Sequence, residues 1–324
     1  GDDLPAVALG SGRTAVAVMA TDGFSCAILD DGSLKCWGRN SSGELGLGDT
    51  DDRGDGPGEM GDDLPTIDLG TGLVPVAIAG GEEHACALLD TGDVKCWGRN
   101  QYGQLGLNAI DDRGDEAGEM GNDLSTVNVG TGLAVVAVSL GNSHTCVTLS
   151  NGSVKCWGSN GSAQLGVDLG SRLGDEPGEM GDSLPAVDLG EGRTATAISA
   201  GRTHTCALLD DGSVKCWGDN EYGQLGQGDT LNRGHGGDLG DVLPAAWVLP
   251  EVAAVFADDG GSFVALTPKR LLDTRSGDKV GELDGSGAAF ELQVTGEGGV
   301  PGSGVSAVAL NVTAVSTETN DFGG

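Results

Sequence analysis

Aromatic residues are scarce in this 324-residue chain, with two tyrosines, five phenylalanines and five tryptophans, so a conventional core of large rings is excluded. Cations are scarce as well. Seventeen Lys and Arg stand against 49 Asp and Glu, and the formal charge of −32 excludes the basic footprint that nucleic acid or an anionic membrane requires. No apolar run approaches the roughly 18 residues of a membrane helix, so no membrane-spanning segment is expected. Helical periodicity is also missing, and Gly, Pro and Asp clusters leave little room for helices. No cysteine stands outside a regular pattern: all eight fall into four pairs, Cys26 and Cys36, Cys86 and Cys96, Cys146 and Cys156, and Cys206 and Cys216.

What is abundant is glycine, at 60 residues, and a repeat. The stretch Thr203-His-Thr-Cys-Ala-Leu-Leu-Asp-Asp-Gly-Ser-Val-Lys-Cys-Trp-Gly-Asp-Asn-Glu-Tyr-Gly-Gln-Leu-Gly226 has three earlier near-copies at intervals of sixty residues. Such a period implies stacked supersecondary units rather than independent domains. Within the stretch, an apolar run, an Asp-Asp-Gly punctuation and a β-prone run read as a hairpin. A three-residue loop with Gly212 left-handed sets Leu208 opposite Val214 and Cys206 opposite Cys216. A two-residue turn would leave the sulfurs diagonal. Opposed Cβ atoms lie about 4.5–5.5 Å apart, close to what a disulfide needs, so four disulfides within repeats are the leading expectation. Free thiols and zinc are the rivals, the latter because His84, His144 and His204 stand two residues before a cysteine. Against zinc, the first repeat has Phe24 there, and no repeat offers four ligands.

Each unit holds four candidate strands, in the fourth copy Ala186–Leu189, Thr194–Ser199, His204–Leu209 and Ser213–Trp217. The fold class expected is all-β, with one four-stranded blade per repeat. Long connections between blades carry formal charges of −6, −5, −4 and −2 along the chain, and repetition places them on one edge as an acidic rim. Candidate partner-binding rim residues are Asp55, Glu59, Asp115, Glu119, Asp175 and Glu179. Asp49, Asp51, Asp52 and Asp55 are weak calcium candidates, since Ca²⁺ takes six to eight oxygen ligands. Local pairing with Arg53, Arg113, Arg172 or Arg233 is the plainer reading of these loops, and no cofactor is expected. Trp37, Trp97, Trp157 and Trp217 recur in phase and suit packing between blades. Lys35, Lys95, Lys155 and Lys215 are expected to cover a strand or reach a neighbouring blade. No catalytic constellation stands out from the repeating background, so the chain is read as no enzyme.

The motif Trp-Gly, an asparagine two residues on and Gly-x-Leu-Gly, with Ala163 replacing the first glycine in the third copy, resembles the regulator of chromosome condensation repeat in its bacterial, cysteine-bearing branch. The resemblance covers residues 1 to about 266 and implies a β-propeller, seven-bladed in well-known members. Four full repeats are present, and Val255–Leu266 resembles part of a fifth. The chain opens at Gly1 in mid-repeat, so the true N-terminus is expected to be missing, and either blades are lost with it or the blade count is unusual. Residues 267–324, with Arg270-Leu-Leu-Asp-Thr-Arg275 and Val305–Thr313, look like a truncated β module of actinobacterial secreted or cell-surface proteins. Paired cysteines, acidity and this module point to an extracellular or cell-surface setting. The leading function is a non-catalytic platform for a protein or surface partner. The alternatives are a guanine-nucleotide exchange factor for a small GTPase, as the eukaryotic namesake is, and a propeller-type inhibitor of beta-lactamases.

Overall fold

A computed structural model describes residues 5–235 and 237–245. Contacts divide the chain at Val248, and both the partial fifth repeat and the C-terminal module lie outside the described residues. Four antiparallel sheets follow one another, one per repeat. The first is β1 (Ala15–Ala20), β2 (Phe24–Leu29) and β3 (Leu34–Gly38), and the second is β4 (Pro75–Gly80), β5 (His84–Leu89) and β6 (Val94–Gly98). The third is β7 (Val135–Leu140), β8 (His144–Leu149), β9 (Val154–Ser159) and β10 (Arg172–Leu173); the fourth is β11 (Ala195–Ala200), β12 (His204–Leu209) and β13 (Val214–Gly218). Among the described residues there is no α-helix, only the short 3-10 turns Gly181–Ser183 and Gly240–Val242.

The hairpin has the register that its cysteines demand. Cys206 pairs with Cys216 and Leu208 with Val214, the Leu209 amide donates to Ser213 O at 2.8 Å, and Gly212 has φ +82°. Counting from that bond, each cysteine pair falls at a non-hydrogen-bonded position, where opposed Cα atoms approach to about 4.5 Å. The four pairs are joined as disulfides with Cα–Cα distances of 4.0–4.1 Å. A bulge near the start of each inner strand, between Ala195 and Ala197 in the fourth sheet, adds twist.

The fourth strand of each blade is an outer edge built differently from the sequence expectation. The residues following the Gly-x-Leu-Gly motif return to the third strand: β10 pairs with β9 in the third sheet, and single bridges join Gly38 to Arg53, Gly98 to Arg113 and Gly218 to Arg233. Ala186–Leu189 is no strand of the fourth sheet. It lies along the outer edge of the third, where the Val187 amide donates to Val154 O at 2.8 Å. Its alternating pattern, with Val187 and Leu189 buried and Asp188 exposed, is strand-like, but both edges of the fourth hairpin are spoken for, and Pro185 interrupts the ladder before it. Ile67 on Leu34 and Val127 on Val94 repeat the contact.

Successive sheets pack face to face around their first strands: β1 meets β4, β4 meets β7, and β7 meets β11. These are the inner strands of a propeller. Trp97, Trp157 and Trp217 are fully buried in the seams, and their indole N–H groups donate to Glu44 O, Gln104 O and Gln164 O of the preceding repeat at 2.9–3.0 Å. Close approach there depends on glycine. At Gly43 (φ +77°) an added Cβ would sit 2.4 Å from the Asp115 amide of the next repeat, whereas Ala163 holds the same left-handed conformation at φ +66°, where a non-glycine residue costs roughly 1–2 kcal/mol.

Two of the four buried lysines, Lys95 and Lys155, reach the neighbouring blade, while Lys35 and Lys215 donate to Gly61 O and Gly240 O of their own repeats. Lys95 Nζ donates to Leu69 O, on the outer edge of the first repeat, and to Gly121 O of its own, at 2.9 and 2.7 Å. Lys155 does the same with Val129 O and Gly181 O. Each of these two ammonium groups thus ties two outer segments together.

Candidate functional site

Every acidic connection starts at the blade end where the second strand begins: Arg53, Arg113 and Arg233 bridge Gly38, Gly98 and Gly218 at the ends of their third strands, and in the third sheet Arg172 and Leu173 pair with Ser159 and Gly158. Asn40 shapes the first of them. Its Oδ1 accepts from the Leu45 amide at 2.9 Å, and its Nδ2 donates to Asp49 O and Asp51 O at 2.8 and 3.0 Å. Asn100, Asn160 and Asn220 accept from Leu105, Leu165 and Leu225 in the same way.

The structure divides the six rim candidates by role. Glu59 faces its own loop, accepting from the Gly54 and Gly56 amides at 2.8 Å, and Glu119 and Glu179 repeat this with Gly114 and Gly174. These glutamates fold the turn. The Gly56 and Gly54 amides hold the Glu59 carboxyl below its ordinary range, while Glu59 itself pushes the neighbouring Asp55 up. Asp115 is half-buried and Asp175 buried, because the backbones of Gly114–Asp115 and Gly174–Asp175 cover Gly43 and Gly103 of the preceding repeats. Asp55 is exposed, and so are Glu116 and Glu176, one position further along than the residues chosen from sequence. Two of the four calcium candidates are occupied locally, and Asp51 and Asp55 are exposed. Asp49 Oδ2 meets Arg53 at 2.6 Å and Asp52 Oδ1 accepts from the Asn40 amide at 2.8 Å. Among the described residues no three His, Cys, Asp or Glu converge as a metal site.

The histidines serve the seams. His84 Nε2 lies 3.0 Å from Thr145 Oγ1, whose own proton goes to Gln104 O at 2.9 Å. The histidine must therefore carry the proton on Nε2, leaving a buried Nδ1 without a partner. His144 and Thr205 repeat the arrangement. Burial pushes both rings down to about 3. In the first seam the equivalent residues are Phe24 and Ala85, both buried and apolar.

One carboxyl stands out inside a seam. Glu44 is buried, with Oε2 accepting from the Ser42 amide at 2.7 Å and Oε1 unpartnered. Arg39 is 3.9 Å away but is committed to Glu83 at 2.6 Å, and Arg99 binds Glu83 as well. Burial pushes the Glu44 carboxyl above its ordinary value, and the charge of Glu83 adds in the same direction. The three equivalent residues are glutamines, Gln104, Gln164 and Gln224, accepting from the matching amides at 2.8–2.9 Å. A group with a raised folded pKa stabilises fully below its unfolded value near 4.5 and loses that contribution as pH rises through the folded value. Glu44→Gln should therefore gain about 1 kcal/mol at neutral pH and remove a loss of stability on the alkaline side of pH 4.5. Urea unfolding across pH checks both.

Comparison with known proteins follows this repeat pattern. The family model described as the regulator of chromosome condensation (RCC1) repeat matches residues 14–44, 76–104, 135–164 and 195–224. The ultraviolet-B receptor UVR8 of Arabidopsis thaliana is 30% identical over 218 residues, covering 65% of this chain and 43% of the receptor. Protein pim1 of Schizosaccharomyces pombe is 33% identical over 218 residues, covering 66% of this chain and 36% of that protein. The chain thus spans less than half the length of these two relatives. Among solved structures, yeast RCC1 (Prp20) bound to Kap60 matches at a TM-score of 0.53 and 18% identity, over 71% of this chain and 49% of that one. That likeness is one of fold.

Proposed function

We propose that this chain, four segments of which match the regulator of chromosome condensation repeat, is a non-catalytic, extracellular or cell-surface platform that binds a protein partner through its acidic rim. The observation that carries this reading is the asymmetry between blade and loop. The blades repeat one another almost residue for residue, whereas the connections leaving them at a single end differ in charge from −6 to −2. A rigid radial scaffold with divergent edges suits recognition. Exposed Asp51, Asp55, Glu116 and Glu176 suit a partner surface rich in Lys or Arg. Four disulfides favour this reading over nucleotide exchange on a small GTPase, because disulfides are rare in the cytosol.

Charge reversal tests it. With a partner captured from the native envelope or culture medium, the triple change Asp55→Lys, Glu116→Lys and Glu176→Lys should weaken binding about tenfold at low salt, and the difference should shrink as salt is raised. Unaltered affinity with an unaltered melting curve would remove the rim from the interface. Glu119→Ala serves as the contrast, since it should loosen the connection itself by leaving the Gly114 amide unpaired.

A further inference from the structure

The turns between the first and second strands hold side chains that neither the blades nor the rim use. Asp22, Glu82, Asn142 and Arg202 occupy one position of the repeat, two residues before Phe24, His84, His144 and His204. Four different residues stand there, although the glycine before them is constant in three copies and the histidine after them in the same three. All four line one cavity of about 510 Å³ between the inner turns.

The turns are bonded to one another, which fixes where the side chains start. The Asn142 amide donates to Arg202 O at 2.9 Å and the Glu82 amide to Asn142 O at 3.4 Å. Gly81 and Gly141 give their amides to His84 O and His144 O at 2.9 Å. The side chains themselves are uncommitted. Asp22, Glu82 and Arg202 are exposed and take no hydrogen bond or ion pair among the described residues, while Asn142 Oδ1 is buried with no donor facing it. A buried acceptor left unpaired is costly. In chain order the opening therefore presents two carboxylates and then a guanidinium, with an unpaired amide oxygen buried in the wall between them.

The geometry points to a binding site for a ligand with a primary ammonium at one end and a carboxylate at the other. The ammonium sits against Asp22 and Glu82, and the carboxylate docks on the Arg202 fork, which suits planar two-point contact. A free zwitterion and a Lys–Glu pair on a protein loop share this chemistry. The site is separate from the acidic connections and stands whether or not they bind a partner.

Nuclear magnetic resonance titration of the whole chain tests it with two probes, 6-aminohexanoate as the free zwitterion and N-acetyl-Lys-Glu-amide as the loop. Saturable shifts of the Glu82 and Asn142 amides are expected with at least one. Binding should weaken about fivefold both in Arg202→Gln and in the double variant Asp22→Asn, Glu82→Gln. Response to 6-aminohexanoate alone assigns a free small molecule, response to the capped dipeptide alone assigns a protein loop, and either supports the site. Melting temperatures should not change, since these side chains hold no partner among the described residues. Absence of saturable shifts with both probes overturns the inference, and so does equal binding by all the variants.

Discussion

Trp97→Ala is expected to lower unfolding free energy by roughly 3–5 kcal/mol, and Trp37→Ala by clearly less, although the two residues are identical in sequence context. Trp97 is fully enclosed and donates its indole N–H to Glu44 O of the preceding repeat at 2.9 Å. Trp37 has no described repeat before it and is only half-buried. Truncating Trp97 opens a cavity and orphans a buried carbonyl, while truncating Trp37 removes a ring that water already reaches. Denaturant unfolding of the two variants side by side measures the gap. Equal losses would mean that the indole works within its own hairpin and that the seam contact contributes little.

Acid should destabilise the protein through two buried rings. His84 and His144 are pushed down to about 3 by burial, against about 6.5 in an unfolded chain. A depressed folded pKa gives stability that is complete above the unfolded value and is lost as pH falls toward the folded one. Between pH 6.5 and 3 each ring should therefore remove up to about 1.4 kcal/mol per pH unit. The molecule supplies its own control: the first seam does without histidine, using Phe24 and Ala85 where the later seams use His84 with Thr145 and His144 with Thr205. Transplanting that pair as His84→Phe with Thr145→Ala, and again as His144→Phe with Thr205→Ala, should flatten the acid limb of a stability–pH curve. An undiminished slope in the fourfold variant would assign acid lability to the carboxylates instead.

Much of a single blade can be read from the sequence, because its determinants are close together. The spacing of Cys206 and Cys216, the Asp-Asp-Gly between them and the left-handed demand on Gly212 fix the hairpin register, and recurrence in phase marks the tryptophans as packing residues. What could not be read lies between repeats. Lys95 spans 26 residues to Leu69 and Gly121, and a period of sixty says nothing about which neighbour a side chain will reach. Ala186–Leu189 looks like a strand of the repeat that follows it, yet completes the edge of the one before, since both assignments satisfy the same alternation. Glu119 reads as a surface acid until its carboxylate is seen closing a turn of its own loop. Glu44 did leave a trace, as an acid in a column of glutamines, and so did the axial turns, as a position of disagreement between strict glycine and histidine.

The tryptophan contacts run in one sense only, each ring reaching back to a carbonyl 53 residues earlier. On a ribosome this becomes a timetable. When the segment around Glu44 is made, its hairpin can close, but its flank stays open until Trp97 has been synthesised and released from the exit tunnel. The carbonyl flank of each blade is thus finished by the next one, and a pause in translation leaves that flank open on the newest blade.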